Sequence, residues 1–267
     1  MSTEALSFER VAARLATAIP RGVAVPIPIL AHHASGAEVW DADGRRYIDF
    51  AGGIAVLNVG HRHPRVIAAV QAQLEAFTHT CFGVMPYEPY IKLAERMNEI
   101  APMRGPNKTI FLTTGAEAIE NAVKIARCAT GRSAIISFSA GFHGRTMMAL
   151  ALTGKVNPYK AGFGPFPADT FHVPFPDAYR GGSSAESLRA IEALFKTSVE
   201  PARVAAIVIE PVQGEGGFNV APFEFLRELR ALCDRHGIVF IADEIQTGFG
   251  RTGRMFAVEH AGVEPDL

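Results

Sequence analysis

Gly237-Ile238-Val239-Phe240-Ile241-Ala242-Asp243-Glu244-Ile245-Gln246-Thr247-Gly248 is the stretch on which the fold turns. Residues 238–242 form a short, almost wholly apolar and β-branched run. That composition suits a strand buried on both faces, as in a parallel sheet. The run stops abruptly in two carboxylates and an amide. Ligands of open α/β sheets bind outside the carboxyl ends of the strands, which is where Asp243 falls. A carboxylate at the rim of a buried sheet stays ionised only beside a cation or under hydrogen bonds. The partner of Asp243 is therefore the question that decides function.

Upstream of this strand the pattern is a repeat of strand and helix. Residues 109–112 read as a strand and 116–130 as a helix stopped by Gly131. Ala134–Phe138 and Val204–Ile209 read as further strands, and Phe223–His236 as a helix stopped by Gly237. Alternating units of this kind predict an α/β fold, a mixed, mostly parallel sheet with helices on both faces. The Gly- and Pro-rich stretch 153–184 reads as a long surface excursion, and such loops are usually functional.

The first part of the chain reads differently. Residues 8–19 suit a short amphipathic helix ended by Pro20, and residues 38–50 suit two strands about an Asp43-Gly44 turn, a β-hairpin. Helices are predicted at 64–77 and 89–100. The expected division is an N-terminal segment over residues 1–62 and a large domain over 63–267.

At 267 residues, 48% apolar and 20% charged, the chain can bury a substantial core. A net charge of −1 supplies no basic face for nucleic acid and no polybasic anchor for a membrane. Residues 1–14 mix acids and bases without a leader's apolar core, and Pro26 and Pro28 interrupt the apolar run 23–31. The expected address is the cytoplasm. Cys81, Cys128 and Cys233 are widely spaced, without a CxxC pair, and read as buried small hydrophobes in a reducing compartment.

Three constellations carry chemistry. In Phe111-Leu112-Thr113-Thr114-Gly115-Ala116-Glu117-Ala118 a strand feeds a small-residue turn that opens a helix. The free N–H groups and dipole of such a helix start suit a phosphate, although a plain N-cap turn explains the same residues. Ala140-Gly141-Phe142-His143-Gly144-Arg145-Thr146 offers an aromatic face, an imidazole and a guanidinium able to grip a carboxylate; core packing and a surface ion pair are the plainer accounts of Phe142 and Arg145. Ile209-Glu210-Pro211-Val212-Gln213-Gly214-Glu215-Gly216-Gly217 places two acids where another buried strand runs out.

Two motifs mislead. Gly248-Phe249-Gly250-Arg251-Thr252-Gly253 matches the dinucleotide pattern GxGxxG, but Asp243 and Glu244 intervene and would repel a pyrophosphate. His61-Arg62-His63-Pro64 lacks cysteine or carboxylate at ligand spacing, so no metal is expected there.

Taken together, TTGAEAIENAVKIAR (113–127), GFHGRT (141–146), IEPVQGEGG (209–217) and IADEIQTGFGRTG (241–253) resemble the class III, or ω-, aminotransferases. These are fold-type I transferases dependent on pyridoxal 5′-phosphate, and the likeness runs from about Val25 to Leu267. The resemblance implies that Asp243 pairs with the protonated pyridine nitrogen and keeps the ring an electron sink. It implies that Phe142 stacks on the ring, Gln246 reaches its phenolic oxygen, and the N–H groups of Gly115 and Ala116 hold the phosphate. His143 and Glu210 would support Asp243.

The details look most like family members that act on 4-aminobutyrate. On that likeness Arg145 binds the distal carboxylate, and Ile54 and Ile245 line the pocket beside it. Glu215 would neutralise a second arginine when a substrate lacks an α-carboxylate. The implied reaction moves the amino group of 4-aminobutyrate to 2-oxoglutarate in a ping-pong cycle, giving succinate semialdehyde and glutamate. Related reactions use 5-aminovalerate, ornithine or acetylornithine. From other classes come a nicotinamide-dependent oxidoreductase using residues 248–253 and an inactive binding module. The resemblance also implies a homodimer with shared sites, and a Schiff-base lysine and C-terminal small domain past the Glu264-Pro265-Asp266-Leu267 string. The chain is then expected to be a fragment, inactive alone.

Overall fold

A computed structural model describes residues 8–23 and 25–267. Residues 1–7, which belong to the expected N-terminal segment and to the leader reading, and residue 24 lie outside the described part. The chain divides into two compact units, Met1–Pro86 and Tyr87–Leu267. The division falls later than residue 62, so the helix that follows Pro64 belongs to the first unit.

The first unit holds α1 (Phe8–Ala18), β1 (Ala31–Ser35), β2 (Glu38–Asp41), β3 (Arg46–Ile48), the single turn α2 (Gly52–Ala55) and α3 (Pro64–Ala76). The hairpin expected at the Asp-Gly turn forms between β2 and β3, with Val39 opposite Tyr47. Asp41 closes it: its Oδ1 accepts the N–H groups of Asp43 (3.0 Å) and Arg45 (2.8 Å), and its Oδ2 accepts the Tyr47 hydroxyl (2.8 Å). β1 adds a third antiparallel strand that the polar string Ala-His-His-Ala-Ser did not announce. His33 stacks on Trp40 across that pair, with ring centroids 4.5 Å apart.

The second unit contains α4 (Glu88–Ile100), α5 (Gly115–Thr130), β4 (Ala134–Phe138), α6 (Met147–Leu152), β5 (Thr170–Val173), α7 (Ser184–Thr197), β6 (Val204–Ile209), the small pair β7 (Val212–Gln213) and β8 (Asn219–Val220), α8 (Phe223–His236) and β9 (Val239–Ala242). Four strands form one parallel sheet in the order β5-β4-β6-β9. Successive side chains of a strand point to opposite faces, and the core divides accordingly. Ile136, Phe138, Ile207, Ile209 and Phe240 pack with Ile191 of α7 and with Phe225, Leu226 and Leu229 of α8. Ile135, Ala206, Val208 and Ile241 pack with Ile119 and Val123 of α5 and with Met148 and Ala149 of α6. Helices therefore cover both faces, and the inner strand β6 is apolar throughout because neither of its faces meets water.

At the amino ends of the strands one guanidinium acts as a clamp. Arg132 Nη1 donates to the carbonyls of Val204 (3.1 Å), His236 (3.0 Å) and Gly237 (2.9 Å). Gly237 itself is left-handed, φ +60°, which stops α8 and turns the chain into β9.

Three expectations need correction. Residues 109–112 form no strand: no described neighbour pairs with them, and the Phe111 N–H is taken by the Tyr90 hydroxyl at 3.2 Å. The stretch 153–184 is no simple surface excursion, because it contains β5, an edge strand in register with β4 from Ile135–Thr170 to Phe138–Val173. Of the cysteines only Cys233 is buried, and burial pushes its thiol up to about 12; Cys81 and Cys128 are exposed. Among the described residues no helix is long and apolar enough to cross a membrane.

The core reading predicts a contrast. Ile207→Ala, at a fully buried position in the central strand, is expected to cost about 2–5 kcal/mol of unfolding free energy. Tyr179→Ala, at a position 95% exposed, should stay within about 0.5 kcal/mol. Urea titration of both variants checks this.

Candidate active site

The sheet order creates a reversal. From β4 the chain goes to β5 on one side, and from β6 it goes to β9 on the other, so the crevice for a ligand lies at the carboxyl ends of β4 and β6. The segments leaving β4 and β6 carry two of the three constellations picked out in the sequence, and the segment leaving β9 carries Asp243.

Asp243 follows β9 directly and is buried. Its Oδ2 lies 2.8 Å from His143 Nδ1, and its Oδ1 accepts the Ile245 N–H at 3.2 Å. Its own N–H donates to the Ile209 carbonyl at 2.8 Å, so the chain stays in register with β6 past the strand end. His143, also buried, is held from behind by Thr153, whose Oγ1 accepts the His143 N–H at 3.2 Å and donates to the Ala149 carbonyl at 2.9 Å. Burial works against charge on His143, but the hydrogen bond and negative charge of Asp243, with Glu210 adding to them, move its pKa upward.

Glu210 joins two loops. Its Oε2 accepts the Phe142 N–H at 2.9 Å and its Oε1 accepts the Gly214 N–H at 3.3 Å. Burial is the main reason its carboxyl rises to about 7; the neighbouring Asp243 pushes the same way, while His143 and the two N–H donors oppose it. One carboxyl thus bonds the buried imidazole directly, and the other acts on it through its charge.

The first turn of α5 has a reciprocal cap. Thr114 Oγ1 accepts the Glu117 N–H, and Glu117 Oε2 accepts the N–H groups of Thr113 (3.0 Å) and Thr114 (2.9 Å). The N–H groups of Gly115 and Ala116 come next, and helix geometry gives them no partner within α5. Ile245, half exposed, lays its side chain against Gly115, and Gly144 packs on Ala116. Gln246 lies so close over Gly214 that a Cβ there would overlap its amide. Gly115, Ala116, Phe142, His143, Glu210, Asp243, Ile245 and Gln246 are thereby linked around one rim.

Phe142 and Arg145 lie on the same exit loop. Arg145 is exposed and makes no hydrogen bond or ion pair with any described residue. Glu215 accepts a hydrogen bond from the Tyr159 hydroxyl at 2.7 Å, and the Tyr159 ring sits 4.8 Å from that of Phe142. Nothing in the sequence singled out Tyr159, which lies inside the stretch read as surface loop. Ile54 falls in the first unit, where it is 81% exposed with φ +58°.

Other motifs settle into structural roles. Glu244 accepts from Thr247 Oγ1 (2.5 Å) and from the N–H groups of Ala257 and Val258 (2.9 Å each), which makes it a buttress for the turn Ala257–His260. Gly248, Gly250 and Gly253 lie in consecutive turns with no helix opening behind them, so the pyrophosphate cradle of a dinucleotide site is not built there. His61 Nε2 lies 2.7 Å from Asp49 Oδ2, and the described residues contain no cluster of three or more metal-ligating side chains.

The model of the family "Aminotransferase class-III" matches residues 19–267. The chain is 56% identical to 5-aminovalerate aminotransferase of Pseudomonas aeruginosa, over 95% of the chain and 60% of that protein. It is equally identical, over the same shares, to 4-aminobutyrate aminotransferase of Escherichia coli. Among solved structures, taurine:2-oxoglutarate aminotransferase of Bifidobacterium kashiwanohense, in complex with PLP and glutamate, superposes with a TM-score of 0.89 at 30% identity, over 99% of the chain and 61% of that structure. A thermostable (S)-enantioselective ω-transaminase of Thermomicrobium roseum gives 0.88 at 32% identity, over 99% and 62%. The chain thus spans about three fifths of the length of its relatives.

The Glu210 environment predicts a pH signature in the cofactor-free protein. A carboxyl raised from 4.5 to about 7 in the folded state favours the protonated form there. Its contribution to stability therefore falls as pH rises from the unfolded value through the folded one. Whatever Glu210→Gln costs outright, it should flatten the loss of stability between about pH 5 and pH 7. Thermal unfolding across that range decides the matter, and an unchanged slope would remove Glu210 as its source.

Proposed function

The chain belongs to the class-III aminotransferases, with the fold-type I α/β architecture of that family, and from this premise we propose that the intact enzyme is an ω-aminotransferase acting on 4-aminobutyrate and 2-oxoglutarate. The buried His143–Asp243 pair at the end of β9 carries the proposal. The family's cofactor, pyridoxal 5′-phosphate, fits the residues present. Asp243 presents a buried carboxylate at the carboxyl end of β9, to which a protonated pyridine would bring a cation. The Gly115 and Ala116 N–H groups, left over by the cap of α5, suit the phosphate.

When bound, the cofactor supplies an electron sink for the pair of electrons left at the amine-bearing carbon. The work of the chain is to hold and polarise it. Asp243 would hold a negative charge at the pyridine nitrogen, and His143, locked between Asp243 and Thr153, would keep that carboxylate oriented. Phe142 would offer its ring as the stacking face, and Gln246 would serve the phenolic oxygen. Glu210 fixes the height of the Phe142 loop through the backbone. Arg145, free of partners among the described residues, binds the distal carboxylate of 4-aminobutyrate or the side-chain carboxylate of 2-oxoglutarate. Ile245, beside Gly115, narrows the pocket. Glu215 neutralises a second arginine while the amine lacks an α-carboxylate and gives it up when glutamate binds. A homodimer belongs to the same proposal.

A second substrate reading has equal support in identity. 5-Aminovalerate is one methylene longer than 4-aminobutyrate, and a relative named for it matches as well as one named for 4-aminobutyrate. One methylene alters discrimination by about 1–3 kcal/mol, so kcat/KM measured with both amines separates the readings.

Two substitutions in the intact enzyme test the roles. Asp243→Ala is expected to lower kcat by roughly two to three orders of magnitude while the fold survives; unchanged turnover would remove the pyridine assignment. Arg145→Ala should raise KM for both 4-aminobutyrate and 2-oxoglutarate. An effect confined to one of them would place the distal carboxylate elsewhere.

A further inference from the structure

Tyr159 is joined to two separate parts of the site. Its hydroxyl donates to Glu215 Oε2 at 2.7 Å on the loop leaving β6, and its ring leans on Phe142 at 4.8 Å and 50° on the loop leaving β4. The positive charge of Arg145 also reaches it. Its own segment is pinned by the next residue. Lys160 Nζ donates to the carbonyls of Thr153 (2.9 Å) and Ala151 (3.3 Å) at the end of α6 and sits 5.5 Å from the centre of the Phe166 ring. Carbonyls at a helix C-terminus lack helical partners and attract a cation, so this anchor is a firm one. Tyr159 is thus held in place by contacts that do not involve Glu215.

From this geometry we propose that Tyr159 is a positioning residue for Glu215, and that its hydroxyl sets the balance between amines with and without an α-carboxylate. The inference rests on the aminotransferase reading of the site. Glu215 has two alternative partners in that reading, an arginine and the Tyr159 hydroxyl. When a substrate carrying an α-carboxylate claims the arginine, Glu215 must go elsewhere, and Tyr159 receives it with a hydrogen bond to a charged oxygen. When the amine is 4-aminobutyrate, Glu215 returns to the arginine and Tyr159 has no part in binding. Its hydroxyl therefore favours glutamate and 2-oxoglutarate and is neutral towards 4-aminobutyrate. A residue that served only to pack against Phe142 would affect both half-reactions alike.

Tyr159→Phe keeps the ring and removes the hydroxyl. In the intact holoenzyme, each half-reaction is followed separately by single-turnover absorbance of the cofactor. The KM for L-glutamate is expected to rise about three- to tenfold, the range for losing a partly solvated hydrogen bond to a charged group, while that for 4-aminobutyrate moves less than about twofold. Equal changes in both, or no change in either, overturn the assignment. A second measurement is independent of turnover. In the cofactor-free intact protein saturated with glutarate, a dicarboxylate that claims the arginine and leaves Glu215 on Tyr159, Tyr159→Phe and Glu215→Gln should be non-additive in their effect on the urea unfolding midpoint, because they remove the same bond. Additive effects would overturn the link between the two residues. A parent enzyme inert towards both amines overturns the reading of the whole site and this inference with it. An active parent with an unshifted glutamate-to-4-aminobutyrate ratio in Tyr159→Phe overturns the Tyr159 assignment alone.

Discussion

The pairing of Asp243 with His143 is the constraint around which the second unit is arranged. An ion pair in a water-excluded place is tolerated only when its geometry is good and its remaining lone pairs and protons are satisfied. Here that requirement reaches several elements. The loop after β4 brings the imidazole, the end of β9 brings the carboxylate, and Thr153, which caps α6 and is itself bonded to Ala149, holds the His143 backbone from behind. The Asp243 N–H still bonds to Ile209, so the carboxylate is aimed by the sheet and not by a free loop. Move any one of these strands by a residue and the pair is broken, with an unpaired charge left inside.

The loops beyond the pair are tied to one another through the main chain. Glu210 links the Phe142 loop to Gly214, and Gln213 donates from Nε2 to the Ser139 carbonyl at 2.9 Å. Aromatic and acidic side chains at the rim are therefore carried on a frame of backbone hydrogen bonds. The rim keeps polar capacity in reserve: the buried Gln213 Oε1 has no partner among the described residues, and Arg145 has none either. This contrast, a satisfied frame and an unsatisfied edge, is what a ligand-binding crevice requires.

Much of this arrangement was legible in the sequence, for identifiable reasons. Ala134–Phe138, Val204–Ile209 and Phe223–His236 lie where they were read, because double-sided burial writes unbroken apolar runs and glycines mark the helix ends. The site was legible because its residues sit just past those runs. Other parts were hidden by the same physics. β5 is an edge strand with only Val173 fully buried, so Thr-Phe-His-Val looks like loop. Residues 109–112 have the composition of a strand but no ladder partner among the described residues, and composition cannot report a missing neighbour. Tyr159 was invisible because its importance lies in contacts with Phe142 and Glu215, both distant in sequence. The cysteines misled because residue type predicts burial only on average, and Cys81 and Cys128 are exposed.

The Arg132 clamp stands at the other end of the sheet. One guanidinium nitrogen collects three carbonyls from the starts of β6 and β9 and the end of α8. Strand spacing is thereby set at the pole remote from the ligand crevice. The two poles differ in kind: one is closed by a cation shared among backbone carbonyls, and the other gathers the polar side chains of the crevice. A fault at either pole would therefore carry its own signature, a loosened sheet at one and a disordered crevice at the other.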